Sequence, residues 1–243
     1  MRIDLYLYLH GYCESRTAAK TLIENAAFTV DGKLVTKPSF AVDTTAEHVI
    51  SVDKTEKRYV SRGGLKLDAA LSEFGVSAEN RICLDVGASS GGFTDCLLQN
   101  GASRVFAVDS GTGQLKDAIK RDSRVYSIEG YNARYMKRED FPNVPSLAVM
   151  DVSFISATYL LEAVYSVLSD GGEFILLVKP QFEVGRQNVG KGGIVKDDSL
   201  RKLALSSVIS AAEALGFIFC GQMRSPIKGG DGNVEFLAYF KKP

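Results

Sequence analysis

The chain is poor in the residues that most often announce a chemistry. In 243 residues it has no tryptophan, two histidines and four cysteines. With only His10 and His48, histidine-centred acid–base catalysis or metal binding has little support. Cys13, Cys83, Cys96 and Cys220 are far apart and form no C-x-x-C pair. That argues against a zinc site or a disulfide frame, and for reduced thiols in a cytoplasmic protein. An excess of one charge is also missing, because 29 Lys+Arg balance 29 Asp+Glu. Any nucleic-acid surface must therefore be local. No apolar run reaches the roughly 18 residues of a membrane span. The opening MRIDLYLYLHGY is interrupted by Asp4 and His10, unlike the core of an export signal.

What is present reads as two parts. Residues 1–57 form a small unit. A helix is expected over about 3–10, and a second in SRTAAKTLIENA, capped by Ser15 and carrying Ala18, Leu22 and Ile23 on its apolar face. Asp31-Gly32 in TVDGKLV is a two-residue hairpin signal, and HVISV supplies a strand ending near Val52. Residues 58–64 read as a linker ending in Gly63-Gly64. From 65 to 243 the pattern alternates. A helical LKLDAALSEF comes first, followed by strand-length apolar runs RICLDV, RVFAVD, RVYSI, LAVMD and EFILLVK. Helical segments separate them, among them GGFTDCLLQ, TGQLKDAIK and SATYLLEAVYSVL. A long helix ending at Gly216 and the strands FIFCGQMRS and VEFLAYF close the chain. This is the signature of an α/β fold on a largely parallel sheet.

The turn LDVGASSGGFTD joins the first of these strands to a helix. Its glycines at 87, 91 and 92 permit a tight turn and close ligand approach. Glycines alone serve strand–helix packing equally well. Asp109, at the end of the next strand, adds a carboxylate where ribose hydroxyls bind in dinucleotide folds. The spacing is not G-x-G-x-x-G, and Asp85 beside the turn would repel a pyrophosphate. A cationic, phosphate-free ligand such as S-adenosylmethionine suits this loop better. Candidate contacts are Asp85, Gly87, Ala88, Ser89, Gly91, Gly92, Phe93, Asp109 and Asp151, with Glu129 or Asn132 reaching an adenine edge and Tyr131 packing on its face.

Charged residues stand at strand ends, where open α/β sheets bind ligands. Asp151 ends the fourth strand and Lys179 the fifth, Glu235 lies early in the last strand, and Lys66 opens the helix before the sheet. Singly, each has the reading of an exposed strand end. As two lysines and two carboxylates brought to one edge, they offset one another's desolvation. Pro180 stops the ladder just after Lys179.

At these residues the sequence resembles a known family. DVGASSGGFTD is similar to the cofactor loop of FtsJ-type ribose 2′-O-methyltransferases, and Lys66, Asp151, Lys179 and Glu235 match that family's K-D-K-E tetrad. YVSRGGLKL, MDVSFIS, VKPQFE and GNVEF resemble its haemolysin-A (TlyA-type) branch. RIDLYL, SRTAAKTLI and VDGK resemble the small RNA-binding domain first described in a small-subunit ribosomal protein, with Ala26-Ala27 where that domain usually has a glycine. The resemblance implies a class I (Rossmann-like) methyltransferase sheet of seven strands, the last antiparallel, behind a small α/β RNA-binding domain. It implies methyl transfer from S-adenosylmethionine to a ribose 2′-hydroxyl of ribosomal RNA, typically at a cytidine. The four tetrad residues would then be catalytic, with Lys179 receiving or stabilising the hydroxyl proton. Phosphate contacts are expected from Arg16, Lys20, Arg58, Arg62 and Lys191. The expected partner is ribosomal RNA or a ribosomal subunit, with no membrane, no stable protein partner and no metal. A membrane-active haemolysin and a non-catalytic ribosome-assembly protein are the competing classes.

Overall fold

The computed structural model describes residues 1–24, 28–35, 37–52, 59–230 and 232–243. Chain contacts divide it into two compact units, Met1–Arg62 and Gly63–Pro243. Ala26-Ala27 and Arg58 lie outside the described residues.

In the first unit, α1 (Ile3–Leu9) and α2 (Arg16–Glu24) precede β1 (Phe28–Val30), β2 (Lys33–Leu34) and β3 (Ile50–Val52). The strands form an antiparallel sheet in the order β2-β1-β3. Asp31 and Gly32 both take positive φ, 52° and 73°, the type I′ geometry that matches the twist of a two-residue hairpin. Ser15 Oγ accepts from the Ala18 amide at 3.1 Å, so it caps α2. One expected contact shifts by a residue: Ala18 is exposed, and Ala19 and Ile23, one turn apart, enter the core with Ile3 and Leu7. Asp4 is fully buried, and Arg2 and Arg16 meet its carboxylate at 3.0 and 2.9 Å. The hydrogen bond from Arg2, reinforced by Arg16, holds the Asp4 carboxyl down at about 2.

The second unit opens with α3 (Gly63–Phe74). Gly63 and Gly64, expected to end the linker, are its first residues. Then follow β4 (Ile82–Val86), α4 (Gly92–Gln99), β5 (Arg104–Val108), α5 (Asp117–Lys120), β6 (Val125–Ile128), β7 (Leu147–Met150) and α6 (Leu161–Val167). The chain continues through β8 (Glu173–Val178), α7 (Pro180–Glu183), α8 (Asp198–Ala214), β9 (Ile218–Arg224) and β10 (Phe236–Lys241). One seven-stranded sheet has the order β6-β5-β4-β7-β8-β10-β9. Only β10 runs antiparallel to its neighbours β8 and β9; the pairs from β6 to β8 are parallel. The central strands β4, β7 and β8 are buried almost throughout, as apolar runs covered on both faces require. Strand order reverses between β4 and β7, where open α/β sheets form their ligand crevice.

Two expectations change here. TGQLKDAIK is helical only over Asp117–Lys120. The Gly111 amide donates instead to Asp109 Oδ1 at 2.7 Å, the Gly113 and Leu115 amides bond Glu129, and Gly113 has φ +68°. Glu235 stands one residue before β10 rather than inside it. Pro180, by contrast, takes the first position of α7 directly after an extended Lys179, where a missing N–H costs nothing.

Asp85 lies within β4, fully buried, with Oδ2 accepting from Thr94 Oγ1 of α4 at 2.6 Å and Oδ1 without a hydrogen-bond partner. Burial pushes its carboxyl up to about 7, with Asp151 and Asp109 adding to the rise and Thr94 opposing it. In the unfolded chain the same proton leaves near 3.8. Between those values the native state holds the extra proton, so stability falls as pH rises through that window. Asp85→Asn cannot ionise. Its stability relative to the wild type is expected to improve from pH 4.5 to pH 8, by at most roughly 3 kcal/mol at about 1.36 kcal/mol per pH unit. Guanidinium unfolding at the two pH values measures this, and a pH-independent difference would overturn it.

Candidate active site

A cavity of about 310 Å³ opens at the carboxyl ends of β4, β5 and β7. Its lining includes Gly87, Ser89, Asp109, Ser110, Gln114, Tyr131, Asn132, Asp151, Ser153 and Phe154. Gly87 has φ +84°, and a Cβ there would stand 2.5 Å from the Asp151 carbonyl oxygen, so only glycine lets the turn lie against β7. Ser89, at φ +47°, donates its amide to Asp109 Oδ2 at 2.7 Å. With the Gly111 amide on Oδ1, the Asp109 carboxylate is held at both oxygens and fixed at the cavity wall. The lining contains two carboxylates, Asp109 and Asp151, and no lysine or arginine. That composition fits a sulfonium and an amino-acid tail and disfavours a phosphate.

The structure separates the other loop candidates from this cavity. Gly91 ends its turn at φ +92° as the residue capping α4, and a Cβ there would press on Leu115 and Ile119. Gly92 and Phe93 are buried in α4, and Ala88 is buried with its amide on the Val108 carbonyl. None of these four lines the cavity. Asp85 points into the protein toward Thr94 and is likewise absent from the lining. Glu129 turns to the 113–120 segment, bonding Lys120 at 3.1 Å, which leaves Tyr131, Asn132 and Ala133 as the lining residues of their segment.

The four charged candidates form two pairs at the same sheet edge. Lys179 Nζ lies 2.6 Å from Asp151 Oδ1 and donates to Ser153 Oγ at 2.7 Å. Lys66 Nζ, from α3, donates to Glu235 Oε2 at 2.6 Å, with both residues buried. Phe236 registers with Val178, so one step further along the ladder Glu235 comes level with Lys179. Asp151 and Ser153 line the cavity and connect it to the lysine.

Ser110, Gln114, Ser153 and Phe154 were not anticipated. Ser153 and Phe154 follow Asp151 by two and three residues, so MDVSFIS held that signal. Phe154 is 92% exposed, has φ +64°, and lies 5.4 Å from the Phe182 ring. An exposed aromatic in the left-handed region is a feature only coordinates reveal.

Among the basic candidates, Lys20 and Lys191 are exposed and Arg62 is partly exposed. Arg16 is half-exposed but committed to Asp4. Arg134 places its guanidinium 4.6 Å from the exposed Tyr159 ring. Among the described residues no helix is long and apolar enough to cross a membrane, and no cluster of three metal-ligating side chains occurs.

Residues 59–242 match the family model of the FtsJ-like methyltransferases, and residues 1–48 match the S4 domain. Hemolysin A of Brachyspira hyodysenteriae is 45% identical over 241 residues, covering 99% of each chain. The 16S/23S rRNA (cytidine-2′-O)-methyltransferase TlyA of Mycobacterium tuberculosis is 41% identical over 99% of this chain and 89% of its own. A solved structure from Streptococcus thermophilus that carries a hemolysin name is 44% identical, with a TM-score of 0.78 over 100% of this chain and 88% of that one. The chain belongs to the FtsJ-like methyltransferase family, whose methyl donor is S-adenosylmethionine.

Proposed function

We propose that the protein methylates a ribose 2′-hydroxyl of ribosomal RNA, with a cytidine as the target nucleotide. The observation that carries this reading is the pair of lysine–carboxylate contacts, Lys179–Asp151 and Lys66–Glu235, on the edge of a cation-favouring cavity. The S4 domain and the cytidine-2′-O activity named for the Mycobacterium tuberculosis relative support the choice of substrate.

Gly87, Ser89, Asp109, Asn132 and Asp151 would hold S-adenosylmethionine. When bound, that group supplies an electrophilic methyl on a sulfonium and leaves as a neutral thioether. The protein therefore needs little acid catalysis. Its work is to place the hydroxyl in line, within roughly 3–3.5 Å of the methyl, and to manage one proton. A lysine ammonium has three N–H groups. Ser153 accepts from one of those on Lys179 and Asp151 pairs with its charge at 2.6 Å, so an N–H remains for the attacking oxygen. From that position Lys179 orients the hydroxyl and then takes its proton or balances the alkoxide charge. Lys66 and Glu235 satisfy each other, so the buried flank of the site carries no uncompensated charge. Phe154 offers an open ring face at the cavity rim, suited to stacking on the target base. Lys20 and Lys191 are free to meet phosphates.

Labelled methyl transfer to ribosomal RNA and subunits, with mapping of the product, tests the activity. Lys179→Ala is expected to lower transfer by about 10²–10⁴-fold, the usual contribution of a positioned acid–base group, while calorimetric affinity for S-adenosylmethionine changes by less than about threefold. Near-normal turnover in that variant would sink the assignment. Lys179→Arg keeps the charge but cannot act as a base, so retained activity assigns the charge role and full loss assigns proton acceptance. Phosphate contact is read separately, from RNA affinity against salt. Lys20→Ala and Lys191→Ala should each flatten that slope by about 0.7–0.9, and salt-insensitive binding would remove these residues from the interface.

A further inference from the structure

The Lys179–Asp151 pair is carried by two loops, 151–156 after β7 and the Lys179–α7 turn after β8. They are joined at three levels. Lys179 reaches Asp151 and Ser153, and the Phe182 ring meets the Phe154 ring. At the far end of the joint, Glu183, the last residue of α7, accepts from Ser156 Oγ at 2.6 Å and from the Ala157 amide at 2.9 Å. Ser156 begins a single 3-10 turn over Ala157–Leu160, and Glu183 closes the amino end of that turn.

Between the two polar joints stand only Phe154 and Ile155. Phe154 holds a left-handed backbone at φ +64° with its ring almost wholly in solvent. That conformation costs a non-glycine residue about 1–2 kcal/mol and persists only where neighbours impose it. The ring contact with Phe182 leaves Phe154 92% exposed, so it supplies little of that constraint. The constraint comes from the two ends, Ser153 held by Lys179 and Ser156–Ala157 held by Glu183.

We propose that Glu183 is a positioning residue: it clamps the loop bearing Asp151, Ser153 and Phe154 to the strand end bearing Lys179. It does not touch the reacting atoms. Its effect is that Lys179 and Phe154 meet the substrate in one geometry. This inference rests on the methyl-transfer reading above.

The clamp is tested with Glu183→Ala and Glu183→Gln in the full chain. A displacement of about 1 Å at a reacting centre can cost on the order of 10²-fold. Glu183→Ala is therefore expected to lower kcat by about 10–100-fold with the KM for S-adenosylmethionine within about threefold. Glu183→Gln keeps an acceptor for the Ala157 amide, and Ser156 Oγ can turn to accept from its amide group. It should restore kcat to within about threefold of the wild type, which a role for the charge itself would not allow. Hydrogen exchange of the 152–157 amides supplies a readout that needs no activity. It should quicken by about tenfold or more in Glu183→Ala and return toward wild type in Glu183→Gln. Unchanged exchange in Glu183→Ala, kcat within twofold of wild type, or equal impairment in the two variants would each overturn the clamp. If the wild type transfers no methyl group to ribosomal RNA, the functional reading fails and the exchange data still decide the clamp.

Discussion

The 2.6 Å contact between Lys179 and Asp151 depends on where two parallel strands stop. Met150 registers with Leu176, so β8 runs two residues beyond β7. Carrying that register forward puts Lys179 level with Ser153, the residue whose hydroxyl it reaches. From the other side, the antiparallel register of β10 brings Glu235 level with the same lysine. The site is thus a consequence of ladder alignment on both flanks of β8. A slip of one residue would turn Lys179 to the opposite face of the sheet and dismantle both relations together. Pro180 guards that alignment, since it can extend neither the ladder nor the lysine's direction.

Alignment alone does not make charged residues tolerable at a buried edge. Lys66 and Glu235 are 7% and 2% exposed, and each is the other's compensation, so loss of either would strand a buried charge. Lys179 and Asp151 sit nearer solvent and carry a third member, Ser153. The deeper pair suits a fixed wall, and the shallower one suits contact with a substrate. Asp85 is fully buried with no cation beside it among the described residues and one oxygen unpaired, and burial raises its proton affinity.

The strands and their charged ends were legible in the sequence because both are written in one dimension. Strands of five or six mostly apolar residues mark β4, β5 and β8, and Asp109 and Lys179, directly after β5 and β8, are delivered to the edge. The Asp31-Gly32 hairpin was legible because both positions need positive φ. Side-chain direction was not. Asp85 and Asp109 both stand near the ends of apolar runs, yet Asp85 lies inside β4 and turns to Thr94, whereas Asp109 follows β5, level with Gly87, and lines the cavity. Glu129 was drawn to loop amides that an expected helix would have used itself. Glu183 and Ser156 lie 27 residues apart, and no spacing rule joins them.

On the proposed function, a chain with no net charge would hold a cationic cofactor and a polyanionic substrate, and the two demands are met by keeping the signs apart. The cavity wall presents Asp109 and Asp151 and no basic side chain. Lys20, Arg134, Lys137, Arg138 and Lys191 lie in solvent. Lys179 stands beside the cavity, paired with the cavity's own carboxylate, Asp151. On that reading a sulfonium would meet carboxylates and a phosphate would meet exposed lysine and arginine, with Lys179 the cation beside the cavity offered to the hydroxyl.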